Sequence, residues 1–194
     1  MRNSYDSIAE DWHASRTHFG ARKYIDLILS RLKPGAEILD IGCGTCVPVA
    51  QYLIQNGFHV VGLDQSAKML EIARRVVPEA ELIHGDMREL NFTRRFAAVI
   101  AWDSVFHIER AHHQAIFQNI ARLLTPEGWL LLSAGGSGHE GFTSEMFGHT
   151  FFYSGHEPEE TLRLLKIEGF EVDLFEEDDP SSQGHIAIIA RRVA

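Results

Sequence analysis

Cysteine is nearly absent from this sequence: Cys43 and Cys46 are the only two in 194 residues. That excludes the disulfide framework that staples small secreted domains. Basic charge is also short, with 18 Lys and Arg against 27 Asp and Glu and a net charge of −9. Nucleic-acid binding draws on a basic surface, so that class of partner is not expected. No apolar run approaches the roughly 20 residues of a bilayer-spanning helix, so no membrane partner is expected either. The opening residues, Met1-Arg2-Asn3-Ser4-Tyr5-Asp6, lack the apolar core of an export signal, and a cytoplasmic location is the expectation. Internal repeats and linker-like stretches are missing too. Residues 1–194 therefore read as a single domain, long enough to bury a sizeable core.

What is present is an alternation of apolar strands and amphipathic helices. Its focus is Glu37-Ile38-Leu39-Asp40-Ile41 followed by Gly42-Cys43-Gly44, with Val49, Ala50, Leu53 and Ile54 at helical spacing beyond. A strand that ends in a glycine-spaced turn and a helix offers free backbone N–H groups to a ligand. A second apolar run ends in Asp64, where a carboxylate is placed to accept hydrogen bonds from ribose hydroxyls. Further strands are expected near residues 80–84, 96–101 and 129–133. A closing antiparallel hairpin is expected over 170–175 and 185–190. Residues 1–33 form an N-terminal helical segment, with Tyr5, Ile8, Ala9 and Trp12 on one face. Residues 134–156 show no period and are read as an irregular insertion on the acceptor side of the site. The acidic run 176–179 reads as a solvated loop. These elements define an α/β, doubly wound, mostly parallel sheet with its ligand site at the strand C-termini.

The identity of the ligand turns on a few residues. A dinucleotide fingerprint requires a third glycine where Val47 stands. Instead an acid precedes the glycines, as Asp40-x-Gly42-x-Gly44. This resembles the first motif of the class I S-adenosylmethionine-dependent methyltransferases, acid-x-Gly-x-Gly-x-Gly, with the third glycine replaced by Cys46. The positions of Asp64, Gly85-Asp86-Met87 and Trp102-Asp103-Ser104 after the next strands are similar to the same family. The segment 101–107 looks like a bacterial small-molecule subgroup of it. The resemblance implies the seven-stranded, Rossmann-like methyltransferase sheet with its last strand antiparallel. It implies S-adenosylmethionine as cofactor, S-adenosylhomocysteine as product, and methyl transfer to a small-molecule acceptor by in-line displacement.

Residue roles follow from that likeness. Asp40 would anchor the methionine amino group, with Gly42, Cys43 and Gly44 forming the loop against it. Asp64 would take the ribose hydroxyls, and Gln65 and Met69 would wall the ribose and adenine. Asp86 would accept from the adenine amino group, Met87 would lie against the ring, and Trp102 would complete the cofactor wall. Tyr5, Trp12, Asp103, Ser104 and Tyr153 are the candidate acceptor residues. His107 is the candidate general base, because an imidazole titrates near neutrality. No metal is expected: the Cys43-x-x-Cys46 spacing has no second ligand pair nearby, and Ser133-Ala134-Gly135 offers no carboxylate after the fifth strand. Two other readings stand beside the methyltransferase one. They are a non-catalytic S-adenosylmethionine-binding protein and a nicotinamide-dependent oxidoreductase.

Overall fold

The computed structural model describes residues 4–179 and 185–193. Seven strands form one sheet: β3 (Glu81–His84), β2 (His59–Asp64), β1 (Glu37–Ile41), β4 (Phe96–Ala101), β5 (Leu124–Gly135), β9 (His185–Arg192) and β8 (Phe170–Asp179), in that spatial order. The pairs from β3 to β5 are parallel, and β9 runs antiparallel to both of its neighbours. Strand order reverses direction between β1 and β4, the switch point where an open sheet leaves a crevice at its C-terminal edge.

Both faces of the sheet are covered, which explains why its central strands read as nearly continuous apolar runs. On one face, Leu39, Ile41 and Val99 pack with Phe117 and Ile120 of α5 (His113–Leu123) and Leu164 and Leu165 of α6 (Pro158–Ile167). On the other, Ile38 and Ile100 pack with Tyr24, Ile25 and Ile28 of α2 (Arg22–Leu29), Leu53 of α3 (Val49–Gln55) and Leu70 of α4 (Ala67–Val76). The remaining helix, α1 (Ser4–Ser15), lies outside these layers, with Ala9 against Met69 and Ile72 of α4.

Three expectations need correction. Residues 134–156 are not irregular: they contain an antiparallel hairpin of β6 (His139–Met146) and β7 (His149–Gly155). Its turn places Phe147 and Gly148 at positive φ. A phenylalanine is an unusual occupant there, so the Asn-Gly type of hairpin signal is missing. In β7, Phe151 is buried and Phe152 is exposed, an alternation hidden among the serines and glycines. The acidic run belongs to β8, whose Glu176 and Glu177 pair with Ala187 and Ile186; an edge strand tolerates such charges. The fifth strand begins at Leu124, before the Pro126 turn, because Leu124 already pairs with Phe96 ahead of a register shift.

Gly42 shows what brings the turn after β1 so close to β4. Its φ is +76°, and a Cβ added there would lie 2.4 Å from the Ser104 Cβ. Gly35 also has φ +76° but nothing within 4 Å, so it isolates the backbone term. Gly35→Ala should cost about 1–2 kcal/mol, the penalty of a left-handed L-residue. Gly42→Ala should cost clearly more because it adds a steric clash. Urea unfolding of the two variants measures both, and equal losses would contradict the close approach.

Candidate functional site

The Gly-rich turn is held from beside it by Asp64, at the end of β2. Its Oδ2 accepts from the Gly44 N–H at 2.8 Å, and its Oδ1 accepts from the Ser66 N–H at 2.7 Å. The same carboxylate thus fixes the loop and opens α4. Ser66 is the N-cap of that helix and accepts from the Met69 N–H at 3.1 Å. Asp64 is consequently structural as well as cavity-facing. The acid of β1 is different. Asp40 is 3% exposed, and its Oδ2 has no hydrogen-bond partner. Burial first, and then the neighbouring Asp64 charge, raise its pKa to about 7. Burial raises the Asp64 pKa as well, opposed by its two backbone N–H donors.

At the third glycine position of the resembling motif, Cys46 adopts φ +64°. The left-handed turn is therefore kept without the glycine. The Cys46 N–H donates to the Cys43 carbonyl at 2.9 Å, and its side chain is fully buried among apolar neighbours. Both cysteines are free thiols. A hydrogen bond with Cys46 and burial hold the Cys43 thiol well above its ordinary pKa, so it is an un-ionised wall group.

Helix α1 closes the site from above. Asp6 Oδ1 accepts from the Ser66 hydroxyl at 2.7 Å and from the Lys68 N–H at 3.1 Å. His13 Nδ1 lies 3.1 Å from Thr45 Oγ1, beside the Gly-rich turn. Tyr5 packs edge-on against Trp12 and Phe151. Its hydroxyl lies 2.7 Å from His107 Nε2, and His107 Nδ1 lies 3.0 Å from the Phe152 carbonyl. A carbonyl only accepts, so Nδ1 carries the proton and Nε2 accepts from the Tyr5 hydroxyl. Burial lowers the His107 pKa, and burial also keeps the Tyr5 phenol protonated. Both nitrogens of the neutral imidazole are engaged, so it orients Tyr5.

These walls line one cavity, which opens to solvent. All ten expected cofactor residues, from Asp40 to Trp102, face it, as do Tyr5, Trp12, Asp103, Ser104 and His107. Tyr153 does not: it stacks between Phe106 and Phe142 and packs on His107, one layer out. The Asp86 carboxylate is already gripped by the Arg88 side chain and backbone N–H, which lowers its pKa. Sequence reasoning missed two residues. Arg16 faces the cavity with its guanidinium 4.6 Å from the Trp12 ring and a buried Nε that has no partner. His185 at the start of β9 reaches Asp103 at 3.1 Å. Arg16 carries no local motif, and His185 is remote in sequence from its partner.

Comparison with known proteins agrees with this architecture. The chain superposes on the S-adenosylmethionine-bound amino pentose methyltransferase CalS10 of Micromonospora echinaspora with a TM-score of 0.74 at 21% identity, covering 96% of this chain and 97% of that one. Against 1,6-didemethyltoxoflavin-N1-methyltransferase of Burkholderia thailandensis the TM-score is 0.75 at 18% identity, covering 98% and 85%. The fold is thus that of the Rossmann-like methyltransferases. Residues 38–128 match the sequence-family model described as a methyltransferase domain. Residues 38–128 are thus similar to methyltransferase domains, within a chain whose fold is the methyltransferase one. The chain is 35% identical over 121 residues to dTDP-3-amino-3,6-dideoxy-alpha-D-glucopyranose N,N-dimethyltransferase of Streptomyces fradiae, covering 61% of this chain and 45% of that protein. A dTDP-3-amino-3,4,6-trideoxy-alpha-D-glucopyranose N,N-dimethyltransferase of Streptomyces venezuelae is 33% identical over 105 residues, covering 53% and 44%. The chain spans about half the length of these curated relatives. No helix among the described residues is long and apolar enough to cross a membrane.

The Asp40 shift sets a pH dependence of stability. Its pKa rises from the ordinary 3.8 to about 7, so the folded state binds more protons than the unfolded state between those values. The stabilisation is fully present below about pH 4 and is lost as pH rises through about 7, with a slope of at most about 1.4 kcal/mol per unit. Asp40→Asn should therefore gain stability relative to the parent as pH rises from 5 to 8. Urea titrations across that range check this; a difference that does not change with pH would contradict a protonated Asp40.

Proposed function

We propose that this protein transfers a methyl group from S-adenosylmethionine to a small-molecule acceptor. The observation that carries the reading is a set of three buried polar atoms without partners among the described residues, Asp40 Oδ2, Arg16 Nε and Ser104 Oγ, on the cavity that the Gly-rich turn floors. An unsatisfied buried polar group costs about 1–3 kcal/mol, and a ligand that pairs with it recovers that cost. An acid and a guanidinium match the ammonium and carboxylate of an amino-acid moiety. Asp40 and Arg16 would hold the methionine end, Asp64 the ribose, and Met69, Met87 and Asp86 the adenine. When bound, the cofactor supplies an activated methyl: the acceptor lone pair forms a bond to the methyl carbon, and the S–C bond breaks with its electrons left on sulfur. The chain's own part is to orient and to exclude water. Tyr5, fixed by His107, and Trp12 close the top of the cavity. The relatives named above act on dTDP-linked amino sugars, which makes amine-bearing small molecules the first acceptors to assay.

Thermal shift separates this from the rival readings. S-adenosylmethionine and S-adenosylhomocysteine should raise the melting temperature, and NAD and NADP should leave it unchanged. Stabilisation by the nicotinamides alone would overturn the assignment. Asp64→Ala should weaken S-adenosylhomocysteine binding about tenfold or more, since hydrogen bonds to a charged group contribute about 1.5–3 kcal/mol. The same variant should lose about 1–3 kcal/mol of stability, because the Gly44 and Ser66 N–H groups lose their acceptor. Calorimetry and urea unfolding read the two effects separately; unchanged affinity would sink the ribose assignment. Radiolabel transfer from methyl-labelled cofactor to an amine library then separates an enzyme from a silent binding protein.

A further inference from the structure

A second pocket, an open surface cleft, adjoins the cofactor cavity. Trp102 and Asp103 lie on the walls of both. Asp103 is built into that junction at a conformational cost. Its φ is +52°, which is uncommon for a residue with a side chain. Its N–H donates to Ser133 Oγ at 2.7 Å, and Ser133 is fully buried in β5. The Asp103 carboxylate reaches across to β9, where Oδ1 lies 3.1 Å from His185 Nε2. Rings pack on His185: Trp102 lies edge-on to it at 5.3 Å, and Phe106 edge-on at 6.4 Å.

We infer that Asp103, oriented by His185, anchors the acceptor, and that the acceptor is an amine. The inference rests on the methyl-transfer reading above and adds the class of nucleophile. A carboxylate favours a cation or an N–H donor over a neutral hydroxyl, through charge-assisted hydrogen bonding. The placement also suits the chemistry. An amine attacks only as its free base, and the methylated nitrogen must then shed a proton. The ammonium gives one proton to solvent water before attack, and the Asp103 carboxylate accepts a hydrogen bond from a remaining N–H, so that the lone pair is held toward the methyl carbon. The N–C bond forms as the S–C bond breaks with its electrons left on sulfur, and the new ammonium then releases its proton to solvent water. His185 Nε2–H donates to Asp103 Oδ1 and fixes the direction of the carboxylate; it is a positioning residue.

The test needs no knowledge of the natural acceptor. Benzylamine and benzyl alcohol are matched probes, and ligand-observed NMR measures their binding with and without saturating S-adenosylhomocysteine. Benzylamine should bind about tenfold or more tightly than the alcohol, the scale of one charge-assisted hydrogen bond. Asp103→Asn suits the same left-handed turn, since asparagine tolerates it, and should abolish the preference. His185→Phe should reduce it, and His185→Gln, which retains an N–H donor, should restore it. Equal binding of the two probes, no binding of either, or a preference untouched by Asp103→Asn would overturn the inference. Failure to bind S-adenosylhomocysteine would instead overturn the cofactor reading, while the amine preference measured without it would still report on Asp103.

Discussion

One carboxylate holds this site together. Asp64 accepts from Gly44 on one side and from Ser66 on the other. Through Ser66, the bond to Asp6 extends the same network to α1. The floor of the cavity, the start of α4 and the helix that covers the opening are thus joined by four residues. Charged acceptors on backbone N–H groups make stronger bonds than neutral ones, and the low dielectric around a buried carboxylate strengthens them further. A ligand that adds donors to Asp64 acts on the whole network at once.

The second acid has the opposite character. Asp40 has a buried oxygen with no partner, and its proton is retained near neutrality. Perturbed carboxylates of this kind concentrate at functional sites, where the ligand supplies what the fold withholds. Asp64 organises the loop through its own bonds, whereas Asp40 keeps a buried oxygen without a partner. The division explains how the same short stretch of sheet edge serves both stability and binding. Asp103 is likewise held in place by its neighbours, in a left-handed turn bonded to Ser133 and His185.

Much of this was legible in the sequence, for stated physical reasons. The parallel strands are apolar because both faces are covered, and the acids after them stand out against that background. Asp64 and the Gly42–Gly44 turn could be placed on the site from spacing, and Asp40 and Asp86 from the family resemblance; each faces the cavity. The hairpin of β6 and β7 could not, because Phe147 replaces the usual small residue in its turn. The position of Tyr153 was also missed. Its strand could be assigned no face, and stacking on Phe106 and Phe142 draws it away from the cavity. Arg16 and His185 escaped because their roles come from tertiary placement. His107 was visible as a residue but not as a geometry, since only the structure shows both of its nitrogens engaged.

Hydrogen exchange with and without S-adenosylhomocysteine tests the linkage among loop, α4 and α1 most directly. Exchange should slow together at residues 42–46, at the first turn of α4 and along α1, in line with the chain of bonds from Gly44 through Asp64 and Ser66 to Asp6. Asp6→Ala should uncouple α1 while leaving the loop protected. Slowing confined to residues 42–46 in the parent protein, with α1 exchanging at its ligand-free rate, would contradict the account.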